Sequence, residues 1–389
     1  MSETRIDLEQ QPELDQPDFT ILIVTLILLG FGLVMIYSAS HHMAFMMDHG
    51  DSAYFLKRQL VWAFLGLFML YITMNIPYSL YKKLVPIMLL VLLIMMVLVL
   101  VPGFGLKEKG AQRWLNLRVI TLQPSEFVKL GLIIYLASIY SKKQGYISHF
   151  KRGVLPPLVI VGLFFCLTLL QRDLGTASIL MLFTFVILFC AGARIMHMLG
   201  LGIMAFSMIS VFAVTQDYRW KRLTAFLDPW ADPTGTGYHT IQSLYAIGNG
   251  GLTGMGFNNS IQKQFYLPEA HTDFIFAVIA EEFGLLGVIG VLAAYLILVL
   301  RGILISLHAP DAFGMLLGLG ISAMIGIQSL VNIGVVSGSL PVTGLTLPLL
   351  SYGGSSLLLT LISIGILLNI SRHASQSTRK ENDHAQNAT

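Results

Sequence analysis

What most constrains this chain is a succession of apolar runs between residue 20 and residue 370. The first, "FTILIVTLILLGFGLVMIYSAS", starts at Phe19 and contains no charged residue. A run of about 17 to 25 apolar residues, rising 1.5 Å per residue as a helix, is long enough to cross bilayer hydrocarbon. In that medium every backbone N–H and C=O must be bonded within the protein, so such runs fold as helices. About ten are predicted: 19–40, 59–74, 85–101, 125–140, 153–170, 175–192, 198–215, 273–299, 312–336 and 355–370. The expected fold class is therefore an all-α polytopic membrane protein. With 55% hydrophobic and only 12% charged residues, the chain leaves no soluble domain of useful size. The domain plan is a cytoplasmic leader, 1–18, a transmembrane domain, 19–370, and a polar tail, 371–389, expected to be disordered and cytoplasmic. The leader is acidic and lacks a cleavage pattern, so the first helix is read as retained.

An even helix count puts both termini on one side, together with Lys82, Lys83, Lys142, Lys143, Lys151, Arg152, Arg194, Arg301 and the cations of the tail. That side is read as cytoplasmic. The bias is slight, however, with twelve Lys and Arg inside against eleven outside. Eight of the eleven crowd into two outer connections, 102–124 and 216–272. They are either solvated surface charge or a site for an anionic ligand at the outer face, most simply lipid phosphate. Nucleic acid is not expected there. Cys166 and Cys190 both lie in apolar runs and read as core residues, not as a disulfide or a metal site.

The connection 216–272 is too long for a turn, and a site-forming loop is favoured over a purely folded element. Its "GNGGLTGMGF", 248–257, lacks the spacing of a nucleotide-binding loop and suits tight turns or close backbone approach. At the fourth helix, Glu126 and Lys129 stand three apart on one face, either as a structural ion pair or with the Lys129 ammonium reaching towards an outer phosphate. Arg113 and Trp114 precede that helix as an interface pair, and Arg172 with Asp173 reads as a helix cap or a local salt bridge. Ser351, in "SYGGSS", opens the last helix as a cap or beside N–H groups that could hold an anion. In "YLPEAHTDFIFAVIAEEFG", 266–284, Asp273 stands at the predicted start of the eighth helix beside His271, as either a cap or a general base. Glu281 and Glu282 lie roughly 12 to 14 Å deeper at 1.5 Å per residue.

In order, "VMIYSAS", "RWLNL", "QPSEFVKL", "RDLGT", "RLTAFLDPWADPTGTGYHTIQSLYAIGNGGLTGMGF", "LPEAHTDFIFAVIAEEFG", "VNIGVVSGSLPVTGLTLPLLSYGGSS" and "NISRH" resemble the SEDS family (shape, elongation, division and sporulation) of FtsW, RodA and SpoVE proteins. The match runs nearly the whole chain. "QKQFYLPEAHTDFIF" and "GLTLPLLSYGGSSLL" resemble the division and sporulation branch more than the elongation branch. "QRDLGT" departs from the family's usual "QPDLGT" at Arg172.

The resemblance implies a GT-C-like helical bundle acting as a peptidoglycan glycosyltransferase. It would polymerise lipid II at the outer face of the bacterial cytoplasmic membrane, during cell division and at the septum. It implies that Asp273 carries the essential acid, Trp114 the essential tryptophan near the fourth helix, and Lys129 the functional lysine after "QPSE". With the residue-level reading, substrate contacts are assigned to Arg113, Trp114, Glu126, Lys129, Arg222, His271 and Ser351. Asp273 would take the proton of the acceptor sugar's 4-hydroxyl while undecaprenyl diphosphate leaves the growing glycan. No cofactor or metal ligand set is identified, although a divalent cation has room to assist. The implied partners are a class B penicillin-binding protein and the division machinery. The alternatives are a lipid II flippase, an elongation-type polymerase and an inactive scaffold.

Overall fold

The computed structural model describes residues 16–46, 50–108, 111–116, 121–142, 145–214 and 224–387. Each predicted apolar run is helical: α1 (Phe19–Met46), α2 (Tyr54–Asn75), α3 (Ser79–Leu100), α4 (Pro124–Lys142), α5 (Leu155–Leu170, entered through a π-turn at Phe150–Val154), α6 (Leu174–Cys190) and α7 (Ile195–Val214). An additional helix, α8 (Tyr238–Gly250), follows, then α9 (Ile275–Leu307), α10 (Ala312–Val336) and α11 (Gly354–Asn387). Among the described residues, seven helices are long and apolar enough to cross a membrane: α1, α2, α3, α5 with its π-turn, α9, α10 and α11. Helix α6 and the described part of α7 are shorter, and α4 carries the Glu126–Lys129 pair.

Capping fixes several ends. Asp173 accepts the Thr176 N–H at 3.1 Å to start α6, as the sequence suggests, and Asp311 accepts the Gly314 N–H at 3.0 Å to start α10. Helix α11 packs along α2, α10 along α9, and α4 lies among α3, α6 and α10. Phe164, Phe183, Phe313, Leu361 and Ile364 fill the interior. By contrast, Val61, Phe64, Phe68 and Tyr71 form an exposed apolar stripe on α2, and Ile87, Leu90, Ile94 and Val97 form one on α3. An outward apolar stripe at helical spacing suits lipid as the solvent.

Three stretches depart from the expected plan. Within 102–124 the described residues include a small antiparallel sheet, β1 (Gly105–Glu108), β2 (Ala111–Asn116) and β3 (Thr121–Leu122), with Leu106 opposite Trp114 and Leu115 opposite Leu122. Strands this short leave no long apolar run, so hydropathy passes over them. The connection 216–272 contains α8, which descends beside α9 from His239, stacked on Phe274 at 5.8 Å, to Gly250, which abuts Ala280. Its described part is thus folded, and Ala225, Phe226, Thr236, His239, Thr240 and Glu269 within it line a cavity. Finally, the backbone remains helical to Asn387 where composition assigned a disordered tail. Ala, Gln, Arg, Lys and Glu there have high helix propensity despite their polarity.

Candidate active site

Helix α9 starts at Ile275, two residues later than the sequence suggests. Its cap is Phe274, with no side-chain capping hydrogen bond, so Asp273 stands outside the helix on the turn that precedes it. That turn is gripped from behind. Ser351 donates to Thr272 O at 2.6 Å, Tyr352 N–H donates to His271 O at 2.9 Å, and Asn332 Nδ2 donates to Asp273 O at 2.8 Å. A second bond from Asn332 reaches Leu345 O at 2.6 Å. Thr272 donates to the Glu269 carboxylate at 2.9 Å, while Glu269 itself holds a left-handed backbone, φ 57.

Asp273 lines a cavity of about 170 Å³ with Glu269, Phe274, Ala225, Phe226, Thr236, His239, Thr240, Val342 and Gly344. Its lining is mixed: Phe226, Phe274 and Val342 are apolar, whereas Thr236, Thr240, His239, Glu269 and Asp273 offer hydroxyls, an imidazole and carboxylates. Gly344 has φ 74, and a Cβ added there would lie 3.6 Å from Asp273 Oδ2. The glycine therefore permits the turn, and any side chain there would lie against the carboxylate.

The other expected site residues are placed as follows. The His271 ring is buried against Phe55, 4.5 Å between centroids, and Tyr352, 5.6 Å; the histidine lining the cavity is His239. Ser351 lies three residues before α11, so it grips the Thr272 carbonyl instead of capping that helix. Lys129 is 1% exposed, paired with Glu126 at 2.8 Å and donating to Gln328 Oε1 at 2.6 Å, so its ammonium points into the bundle. Burial inside apolar helices costs least when the charge is paired and bonded, which this arrangement achieves. Gln328 in turn donates to Thr346 O at 2.9 Å, on the loop whose Val342 and Gly344 line the cavity.

Arg113 reaches the α5–α6 turn, donating to Arg172 O and lying 3.8 Å from Asp173. Arg172 has φ 60, a value closed to proline, so this turn is built differently from a "QPDLGT" turn. Trp114 is half-buried in β2, and Arg222 lies outside the described residues. Among the described residues, no group of three or more His, Cys, Asp or Glu is arranged to hold a metal ion.

Deeper along α9, Glu281 accepts from Ser260 Oγ, from Asn249 at 3.2 Å and from the Ile261 and Gln262 N–H groups, both at 3.2 Å. Glu282 pairs with Lys263 at 2.7 Å and accepts from Ser38 at 2.6 Å. Both acids are fully buried and anchor the chain that returns from α8.

The chain matches the family model described as "Cell cycle protein" (FtsW, RodA and SpoVE) over residues 19–376. It belongs to the FtsW/RodA/SpoVE family. Within that family it is 46% identical over 360 residues to stage V sporulation protein E of Bacillus subtilis, covering 92% of this chain and 98% of that one. It is 48% identical over 354 residues to the probable peptidoglycan glycosyltransferase FtsW of Trichlorobacter lovleyi, covering 91% and 93%. Among solved structures, a chain of a peptidoglycan synthase complex that coordinates polymerization and crosslinking superposes with TM-score 0.75 at 32% identity, covering 92% and 99%. The rod shape determining protein RodA of Thermus thermophilus gives 0.68 at 29%, covering 92% and 97%.

As a member of the FtsW/RodA/SpoVE family, this is a multi-pass protein of the bacterial inner membrane, and its fold is the SEDS helical bundle. The fold brings Asp273, Ser351, Gly344 and the Lys129–Gln328 pair to one junction of α4, α9, α10 and the 342–353 loop. Sequence reading did not single out Gln328, Asn332, Gly344, Tyr352 and His239. The available signal was two amides four residues apart, "QSLVN", inside an otherwise apolar helix.

Proposed function

We propose that this chain is a peptidoglycan glycosyltransferase that polymerises lipid II at the outer face of the membrane in cell division, with Asp273 as general base. The observation that carries this reading is a carboxylate held outside a helix start and lining a cavity whose other residues are both apolar and polar. At about 170 Å³, against roughly 30 Å³ for a water, the cavity admits a group of several heavy atoms. Family membership and the activity named for the FtsW relative support the same reaction.

Asp273 accepts the proton of the acceptor 4-hydroxyl as that oxygen bonds to the anomeric carbon of the growing glycan. The bond to undecaprenyl diphosphate breaks, and the lipid diphosphate leaves. Phe226, Phe274 and Val342 offer the sugar apolar contacts, and Thr236, Thr240 and His239 offer polar ones. Arg113 and Arg222, cations of the two outer connections, offset the diphosphate charge beside Trp114. Lys129, Glu126, His271 and Ser351 support the site from behind. A class B penicillin-binding protein receives the strand for crosslinking, in keeping with the synthase complex to which the fold is similar.

The test supplies purified protein, with its transpeptidase, with lipid II in detergent. Wild type is expected to form glycan strands, and Asp273→Asn to lower the rate roughly 10²- to 10⁴-fold, the range for losing a general base. Undiminished polymer from Asp273→Asn would refute the mechanism. Absence of wild-type polymer together with lipid II translocation in proteoliposomes would make the chain a flippase.

A further inference from the structure

The cavity is lined by three segments, 225–240, the 269–274 turn and residues 342–344 of the 342–347 loop, and the last two meet from distant parts of the chain. One side chain bonds to both. Asn332, 1% exposed on α10, donates its single amide NH₂ to Asp273 O at 2.8 Å and to Leu345 O at 2.6 Å. Its Oδ1 is buried and finds no hydrogen bond. Flipping the amide would set that oxygen against two carbonyls, so the orientation follows from its surroundings. An unsatisfied buried acceptor is costly, and the side chain bears that cost while its donors clip these two segments together. One turn earlier, Gln328 repeats the contact on Thr346 O at 2.9 Å and is itself held by Lys129 at 2.6 Å.

We propose that Asn332 is a positioning residue: by clipping Asp273 O to Leu345 O it sets the gap between the Asp273 carboxylate and Gly344, and so the placement of the base against the acceptor hydroxyl. The inference rests on the glycosyl-transfer reading for its kinetic consequence, but the clip itself does not. Asn332 neither touches the reacting atoms nor alters the apolar lining, so it acts on the catalytic step more than on substrate binding. A misplacement of about 1 Å in such a site costs up to roughly 100-fold in rate.

Two variants test it. Asn332→Leu preserves volume and removes both donors, and Asn332→Ser leaves a polar but shorter group. Lipid II polymerisation by each, normalised to folded protein from the melting transition, is expected to show kcat lowered at least about tenfold with KM changed less than about threefold. Hydrogen exchange gives a second readout that does not require activity. The Tyr352 N–H, bonded across the junction to His271 O, is expected to exchange faster in both variants. Unchanged kcat per folded molecule would overturn the inference, and so would unchanged exchange at Tyr352. Loss of rate strictly in proportion to loss of folded protein would assign Asn332 to the fold alone and also overturn it. A wild-type protein that makes no polymer would instead refute the glycosyl-transfer reading, and the exchange measurement would still decide the clip.

Discussion

At the scale of single residues, the buried ionic contacts differ in what they hold. Lys263 is 5% exposed and bonds to Glu282 at 2.7 Å, Ser38 at 2.9 Å and Asn258 at 2.7 Å, tying the return chain to both α1 and α9. Burial pulls its ammonium below the ordinary lysine range, and the Glu282 carboxylate opposes that shift. Removing one partner leaves the other charge buried and alone, so Lys263→Met is expected to cost about 3–5 kcal/mol, whereas the double variant with Glu282→Leu costs less than either single change. Melting of the four proteins in detergent, arranged as a double-mutant cycle, measures this; additive losses would show that the pair does not couple. The sequence made Asp273, Glu281 and Glu282 conspicuous because each carboxylate interrupts an apolar run. It could not separate their roles, because what distinguishes them is the chain that returns to meet them: Lys263 and Ser260 for the deeper pair, Gly344 for Asp273. Asn332 escaped notice because an uncharged amide inside an apolar run reads as an ordinary helix–helix hydrogen bond.

At the scale of elements, the break in α9 shows how non-helical backbone is accommodated beside apolar helices. Gly284 has φ 61 and ψ −158, a region essentially restricted to glycine, in the middle of α9. The turn after α8 supplies the bonds the helix forgoes: Met255 N–H donates to Glu281 O at 2.9 Å, Gly256 N–H to Glu282 O at 3.0 Å, and Leu285 N–H to Gly251 O at 3.0 Å. Backbone groups away from water need such partners. A Cβ at Gly284 would overlap Gly254 N and the Leu252 carbonyl, so Gly284→Ala is expected to destabilise by at least about 1–3 kcal/mol and lower the melting temperature. Gly290, six residues on, has nothing within 4 Å of an added Cβ, and Gly290→Ala is expected to be neutral or stabilising by about 0.5–1 kcal/mol. Equal melting temperatures for the two variants would contradict this account. The long helices were legible because lipid imposes a length on them. The sheet and α8 were not, since a six-residue strand and a 13-residue helix each fall short of any membrane-length signal.

At the scale of the molecule, two ends emerge from contacts between distant residues. At one end Asp18 N–H donates to Ser371 at 3.1 Å and its carboxylate pairs with Arg301, Tyr78 bonds to Asp311 at 2.7 Å, and Lys82 lies over Phe313 at 5.4 Å. At the other end Arg113 meets Asp173, Gln59 donates to Ser351 O at 3.3 Å, and Asp273 opens into its cavity. On the proposed orientation Lys82, Lys83 and Arg301 lie at the cytoplasmic end, as the positive-inside tendency favours, and the candidate base lies at the outer face where a lipid-linked substrate would be met. Labelling tests this directly. With Cys166→Ala and Cys190→Ala removing the native thiols, a cysteine at Lys107, exposed in β1, is expected to react with a membrane-impermeant maleimide added to intact spheroplasts. A cysteine at His308, exposed after α9, is expected to react only once the membrane is permeabilised. The opposite pattern would turn the molecule over and put Asp273 on the cytoplasmic side, removing the ground for polymerisation at the outer face while leaving the cavity and its clip intact.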